Sequence, residues 1–192
     1  MPRRRASRMK RSTGTIVPSA FETCDAIILS GGTSKGAGAL TYRIVDRLGA
    51  PGIVVHGVAL KPGKPLCLAV CSGKPVVVLP GFPTSAMFTF HDIVAPVLRE
   101  LAGLPARTET RVEARLPVRI ASEVGRTEFV MVALASSAEG LMAHPVGKGS
   151  GAVTAFSQAD GFIAVDALAD SVPAGSHVSV PLYPSLGRSR TT

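Results

Sequence analysis

The chain has 192 residues, 46% of them hydrophobic and 18% charged, with a formal net charge of +8. That length suits one large domain or two small ones, and the apolar content excludes wholesale disorder. No apolar run reaches the roughly 18 residues of a membrane span, so a membrane is not an expected partner.

The charge invites a nucleic-acid reading, but it sits at the ends. The opening MPRRRASRMKR carries Arg3, Arg4, Arg5, Arg8, Lys10 and Arg11, and the closing GRSRTT adds Arg188 and Arg190. Neither segment holds an acid, so the body between them is formally neutral. Residues 1–22 read as a basic disordered tail and 184–192 as a second tail. A basic arm binds phosphates by charge alone, yet with a neutral body nucleic acid is not the expected partner. The opening lacks the apolar core of a secretory signal, so a cytoplasmic location is expected. Its acid-poor, Arg- and Ser-containing start bears only a faint likeness to an organelle transit peptide.

From residue 23 to 104, apolar runs alternate with helical patterns. AIIL (Ala26 to Leu29) predicts a buried strand. ALTYRIVDRLG predicts an amphipathic helix with Leu40, Ile44, Val45 and Leu48 on one side and Gly49 as its stop. GIVVHGVAL, LCLAV and PVVVLPG predict three further strands. A long helix follows from Thr84 to Leu101, with Pro96 implying a kink or local break. Continuous apolar strands alternating with helices indicate an α/β layer of about four strands. After GLPART the rhythm changes. RVEARLPVRI, TEFVMVAL, GLMAHPV, GFIAVDA and HVSVPLY are short, often alternating runs, the pattern of a small antiparallel β domain over 108–183.

Cys67 and Cys71 share one face of a predicted strand, roughly 13 Å apart at strand rise. That is too far for a disulfide, and with Cys24 they read as reduced thiols. The four histidines are scattered and complete no metal set.

Three glycine-rich loops fall at strand ends. SGGTSKG (Ser30 to Gly36) follows the first strand and opens a helix, so its backbone amides favour an anion. KPGKP is stiffened by two prolines, and Lys61 and Lys64 can converge on one side of it to meet an oxyanion. LPGFPTSAMF again joins a strand to a helix, where Thr84 and Ser85 can cap the helix or bind a ligand oxygen. Each loop has a plain structural explanation: a packing turn, a solvated turn and an N-cap. In open α/β sheets ligands collect beyond the carboxyl ends of the strands, which is where the first and third loops lie.

DAIILSGGTSKG, HGVALKPGKPL, VVVLPGFPTSAMFTF, GRTEFV and GKGSGAVTAFSQADGF, in this order over about Asp25 to Tyr183, strongly resemble the molybdopterin molybdenumtransferase family, the MoeA and gephyrin E-domain group. The resemblance implies insertion of molybdate into adenylylated molybdopterin with magnesium as cofactor. It also implies a pterin-binding α/β domain, a small C-terminal β domain and an elongated dimer. Carried over by motif, Gly31, Gly32, Thr33 and Ser34 match the pterin-phosphate loop. Lys61, Gly63 and Lys64 match the lysine turn near the oxyanion, and Ser85 the hydroxyl of the third loop. Arg126 and Ser150 match positions that close the pocket from the β domain. Cations, hydroxyls and amides are the expected ligands of a dianion such as molybdate.

The chain also departs from the family. Where the first loop usually runs into an acid it continues Ala37-Gly38-Ala39, and Lys35 stands at a usually apolar place. The family's large N-terminal region, and the start of its α/β domain with a T-G-D-E motif, have no counterpart. The chain therefore reads as a C-terminal piece of such an enzyme. The alternatives are a binding module that holds molybdopterin or a partner without catalysis, and a nucleic-acid-associated protein acting through its basic tail. The expected protein partner is a second copy or a complementing N-terminal chain that supplies the missing acids.

Overall fold

A computed structural model describes residues 13–30, 38–149 and 154–183. Among them the chain folds into an α/β half and a β half. The first contains α1 (Thr13–Thr23), β1 (Ile27–Ser30), α2 (Gly38–Asp46), β2 (Pro51–His56), β3 (Leu60–Lys61), β4 (Cys67–Cys71) and β5 (Lys74–Leu79). It ends in one long helical stretch made of α3 (Pro83–Thr89), a π-helical turn (Phe90–Val94) and α4 (Ala95–Leu101).

Four strands form the first sheet in the order β1-β5-β4-β2. Only β1 and β5 are parallel; β4 runs antiparallel to both β5 and β2. The sheet is covered on both faces, as its apolar strands predict. Val45, Cys67, Ala69, Cys71, Val76 and Val78 pack with α1 and α2 on one side. Leu66, Val77 and Leu79 meet Val94 of the π turn on the other. Cys67 and Cys71 are buried free thiols, and burial pushes the Cys67 thiol up to about 11.

Two boundaries differ from the sequence reading. The segment 1–22 was expected to be tail, yet α1 begins at Thr13. Its Val17, Ala20 and Phe21 pack on the sheet, and Lys74 Nζ donates to the Phe21 carbonyl at 2.7 Å. Apolar side chains at helical spacing outweigh the polar start of the segment. The run GIVVHGVAL does not form one strand. It breaks after His56, and Leu60–Lys61 leaves the first sheet for the second.

The expected irregularity at Pro96 is a π turn. Pro96 has no N–H to give to the preceding turn. The Ala95 N–H instead reaches back to the Phe90 carbonyl, widening the helix by one residue just before the proline.

The β half contains β6 (Arg111–Arg115), β7 (Ile120–Ala121), β8 (Thr127–Ser137), β9 (Gly140–Lys148), β10 (Gly161–Val165), β11 (Ser171–Val172) and β12 (His177–Pro181). Its main sheet runs β10-β8-β9-β6-β12, and a bridge from Gly161 to Leu182 brings its ends together. A Cβ on Gly161 would lie 2.4 Å from the Pro181 carbonyl oxygen, so this closure requires glycine. Leu116, Val130, Val132, Val165 and Val180 fill its interior.

The β half, expected as a small domain over 108–183, also makes contacts with the α/β half. β3 pairs in parallel with β8, Leu60 against Thr127 and Lys61 against Glu128. Beside that seam Phe88 stacks on Phe129 at 4.8 Å and meets Phe162 edge-on at 5.3 Å. Two residues of backbone pairing and an aromatic cluster join the halves.

Candidate functional site

The KPGKP turn lies at the tip of the β2–β4 hairpin. The Lys61–Pro62 peptide is cis, and Gly63 takes φ 135°. The turn closes through the Leu66 N–H to the Gly63 carbonyl and the Val58 N–H to the Lys64 carbonyl. A Cβ on Gly63 would lie 2.6 Å from Thr89 Cγ2, so the turn is pressed onto the long helix. The helix on one side and β8 on the other fix where Lys61 can point.

Lys61 Nζ lies 3.0 Å from Glu123 Oε1 and 3.4 Å from Glu128 Oε1. The other oxygen of Glu123 accepts from Arg126 Nη2 at 2.8 Å. Lys148 Nζ stands 3.8 Å from Glu128 Oε1 and donates to the Ala121 carbonyl at 2.7 Å. Ser122 Oγ donates to the second oxygen of Glu128 at 2.9 Å. Three cations and two carboxylates therefore interlock where the halves meet. The carboxylates differ: Glu128 is fully buried, whereas the Glu123 side chain is 58% exposed. Glu123 is held below the usual carboxylate range, first by the Lys61 hydrogen bond, and the Lys61 ammonium is correspondingly raised.

Two expected residues, Lys61 and Arg126, are brought together here through Glu123. Lys64 is not: it is exposed, and no described hydrogen bond or ion pair ties it to the cluster. A two-proline turn with Gly63 at positive φ sends its two lysines different ways. Nor does Ser85 cap its helix. The N-cap is Phe82, without a side-chain cap bond, because Pro83 opens α3. Ser85 is instead buried at 3% exposure, its carbonyl accepting the Thr89 hydroxyl at 2.8 Å. Gly31, Gly32, Thr33, Ser34, Lys35, Ala37 and Ser150 lie outside the described residues. Ala39 belongs to α2, and Asp25 precedes β1, at the end of that strand away from the first loop.

The sequence reading missed Glu123, Glu128, Lys148 and Ser122. Glu128 stands inside the quoted GRTEFV and Lys148 inside GKGSG. An acid in an otherwise apolar strand was the available signal.

Magnesium does not fit the described donor set. No group of three His, Cys, Asp or Glu side chains assembles among the described residues. The two carboxylates of the junction face ammonium and guanidinium groups. We derive no step through the metal.

A separate groove of about 1450 Å³ runs between the long helix and the β half, lined by Met87, Phe88, Phe129, Phe156 and Phe162, among others. None of Lys61, Lys64, Ser85 and Arg126 lines it. Its apolar walls and mixed-sign rim suit a dianion poorly.

Comparison with known proteins agrees with the motif order. A family model described as "Probable molybdopterin binding domain" matches residues 10–100, and the "MoeA C-terminal region (domain IV)" matches residues 113–183. The molybdopterin molybdenumtransferase of Haemophilus influenzae is 28% identical over 159 residues, 81% of this chain and 39% of that protein. Molybdopterin molybdenumtransferase 2 of Mycobacterium tuberculosis is 34% identical over 124 residues, 60% and 30%. The crystal structure of a molybdopterin biosynthesis MoeA protein of Pyrococcus horikoshii superposes with TM-score 0.70 at 37% identity, covering 90% of this chain and 41% of that one. The chain thus spans 30–41% of the length of these relatives. Among the described residues no helix is long and apolar enough to cross a membrane.

Proposed function

The chain belongs to the MoeA-type family, joining a molybdopterin-binding domain to a MoeA C-terminal region, and from that premise we propose that it serves molybdenum cofactor biosynthesis by holding an oxyanion at the junction of its two halves. The ligand is molybdate or the phosphate of an adenylylated molybdopterin. The observation that carries this reading is the meeting of Lys61, from the α/β half, with Arg126 and Lys148, from the β half. All three lie in motifs that resemble the family's, and two of them, Lys61 and Arg126, match its oxyanion positions. An oxyanion between them gains charge-assisted hydrogen bonds from both halves at once.

Holding the anion is not the same as turning it over. Acceleration needs charge stabilisation that grows in the transition state, and adenylate hydrolysis normally draws it from a metal held by carboxylates. The described carboxylates at the junction are committed to cations. Accordingly the described residues bind the anion, and turnover calls for carboxylates beyond those they assemble.

Calorimetric titration of the full chain with molybdate tests the site. Lys61→Ala should weaken binding by about ten- to a hundredfold, the loss of one charge-assisted contact worth roughly 1.5–3 kcal/mol. Lys64→Ala should change it little. Equal effects of the two substitutions, or none from either, would place the anion elsewhere.

A further inference from the structure

We propose that Glu123 is a built-in stand-in for the bound oxyanion, a displaceable counter-ion that sets how tightly the junction takes its ligand. The proposal rests on the anion-site reading above and adds a residue that determines affinity.

The geometry carries it. One oxygen of Glu123 meets Lys61 at 3.0 Å and the other meets Arg126 at 2.8 Å. Two oxygens of a tetrahedral oxyanion can engage the same two cations in the same bridging manner. Glu123 lies in the loop between β7 and β8 with its side chain 58% exposed, so a rotamer change moves the carboxylate into water. The neighbouring acid cannot do this. Glu128 is fully buried on β8, receives the Ser122 hydroxyl at 2.9 Å and lies 3.4 Å from Lys61, with no solvent beside it to turn into. The backbone pairing of Lys61 with Glu128 holds the turn in place as well. One carboxylate is therefore a fixture that positions the lysine, and the other is a tenant.

Exposed ion pairs contribute little to stability because solvent screens them, so giving this one up is cheap for the fold. It is still a cost to the ligand, which must displace an ionised competitor before reaching two cations. With Glu123 withdrawn, three cations face one carboxylate instead of two. The lowered pKa of Glu123 agrees with this role, since the competitor stays charged at neutral pH.

The test is calorimetric titration of the full chain, its Glu123→Gln variant and its Lys61→Ala variant with sodium molybdate, with sulfate as a second tetrahedral dianion. Glu123→Gln should bind molybdate about three- to tenfold more tightly than the unmodified chain, and Lys61→Ala should bind it far more weakly. In the unmodified chain, ¹³C-carboxyl NMR should show the Glu123 resonance moving toward that of a solvated carboxylate as molybdate is added. Glu123 is exposed, so the variant retains the fold. Binding that Lys61→Ala weakens but Glu123→Gln leaves unchanged or weaker overturns the stand-in and keeps the anion site. Binding insensitive to Lys61→Ala, or absent from both the unmodified chain and Glu123→Gln, overturns the anion site and the stand-in together.

Discussion

At the residue scale the junction is governed by what two carboxylates of different burial can do. Glu128 is sealed in the strand, where a charge is tolerable only with partners. Glu128→Gln keeps an acceptor for Ser122 but loses the attraction to Lys61 and Lys148. Both lysines are partly exposed, so the cost should stay at about 1.5–3 kcal/mol, the range for charged hydrogen bonds, read from urea midpoints. Glu123 gives the pH dependence. Its folded pKa lies below its unfolded value, so the bridge is fully formed at neutral pH and is lost as pH falls through the depressed value. Carboxyl NMR should find Glu123 titrating lower in the folded chain than in urea. Lys61→Ala should shrink that difference, since the lysine hydrogen bond is its first cause, while Arg126 and Lys148 keep part of it.

At the element scale the lysine turn works because glycine stands at its middle. Gly63→Ala would force a Cβ into φ 135° and against Thr89 Cγ2. We expect a loss of more than about 1 kcal/mol, because both the backbone and the close approach are wrong for alanine. Adding Thr89→Ser removes the opposing methyl and should restore only part of the loss, leaving the conformational share. Full restoration would show that the backbone conformation costs nothing. Lys61 reaches Arg126 only through this turn, so Gly63→Ala should also weaken anion binding.

At the scale of the whole molecule the two halves are joined by a short ladder and a ring cluster, with an exposed link at 102–110. Limited proteolysis should cut in that link, and the nicked fragments should still co-elute in native size-exclusion chromatography. Phe129→Ala removes the ring that stacks on Phe88, at a cost of about 3–5 kcal/mol. The nicked variant should then separate into fragments. Cofactor formation from adenylylated molybdopterin, magnesium and molybdate should be near zero for the chain alone. It should rise when a relative's N-terminal region is added in trans; turnover by the chain alone near a full-length rate would overturn the binding-only reading.

Hydrophobic rhythm alone carried the change from α/β to β near residue 104, the positions of most strands and the irregular helix before Pro96, because burial and proline chemistry act locally. Motif order likewise pointed to the family and to Lys61 and Arg126. Local signals could not show that Leu60–Lys61 crosses into the second sheet, since two residues have no period of their own. They could not show that Lys64 turns to solvent or that Ser85 is buried, because a positive φ at Gly63 and the packing of the long helix on the turn decide those directions. Nor could they show that Glu123 and Glu128 enclose the cations: charges about 60 residues from Lys61 become neighbours only when β3 docks on β8, and long-range pairing is written in the tertiary structure.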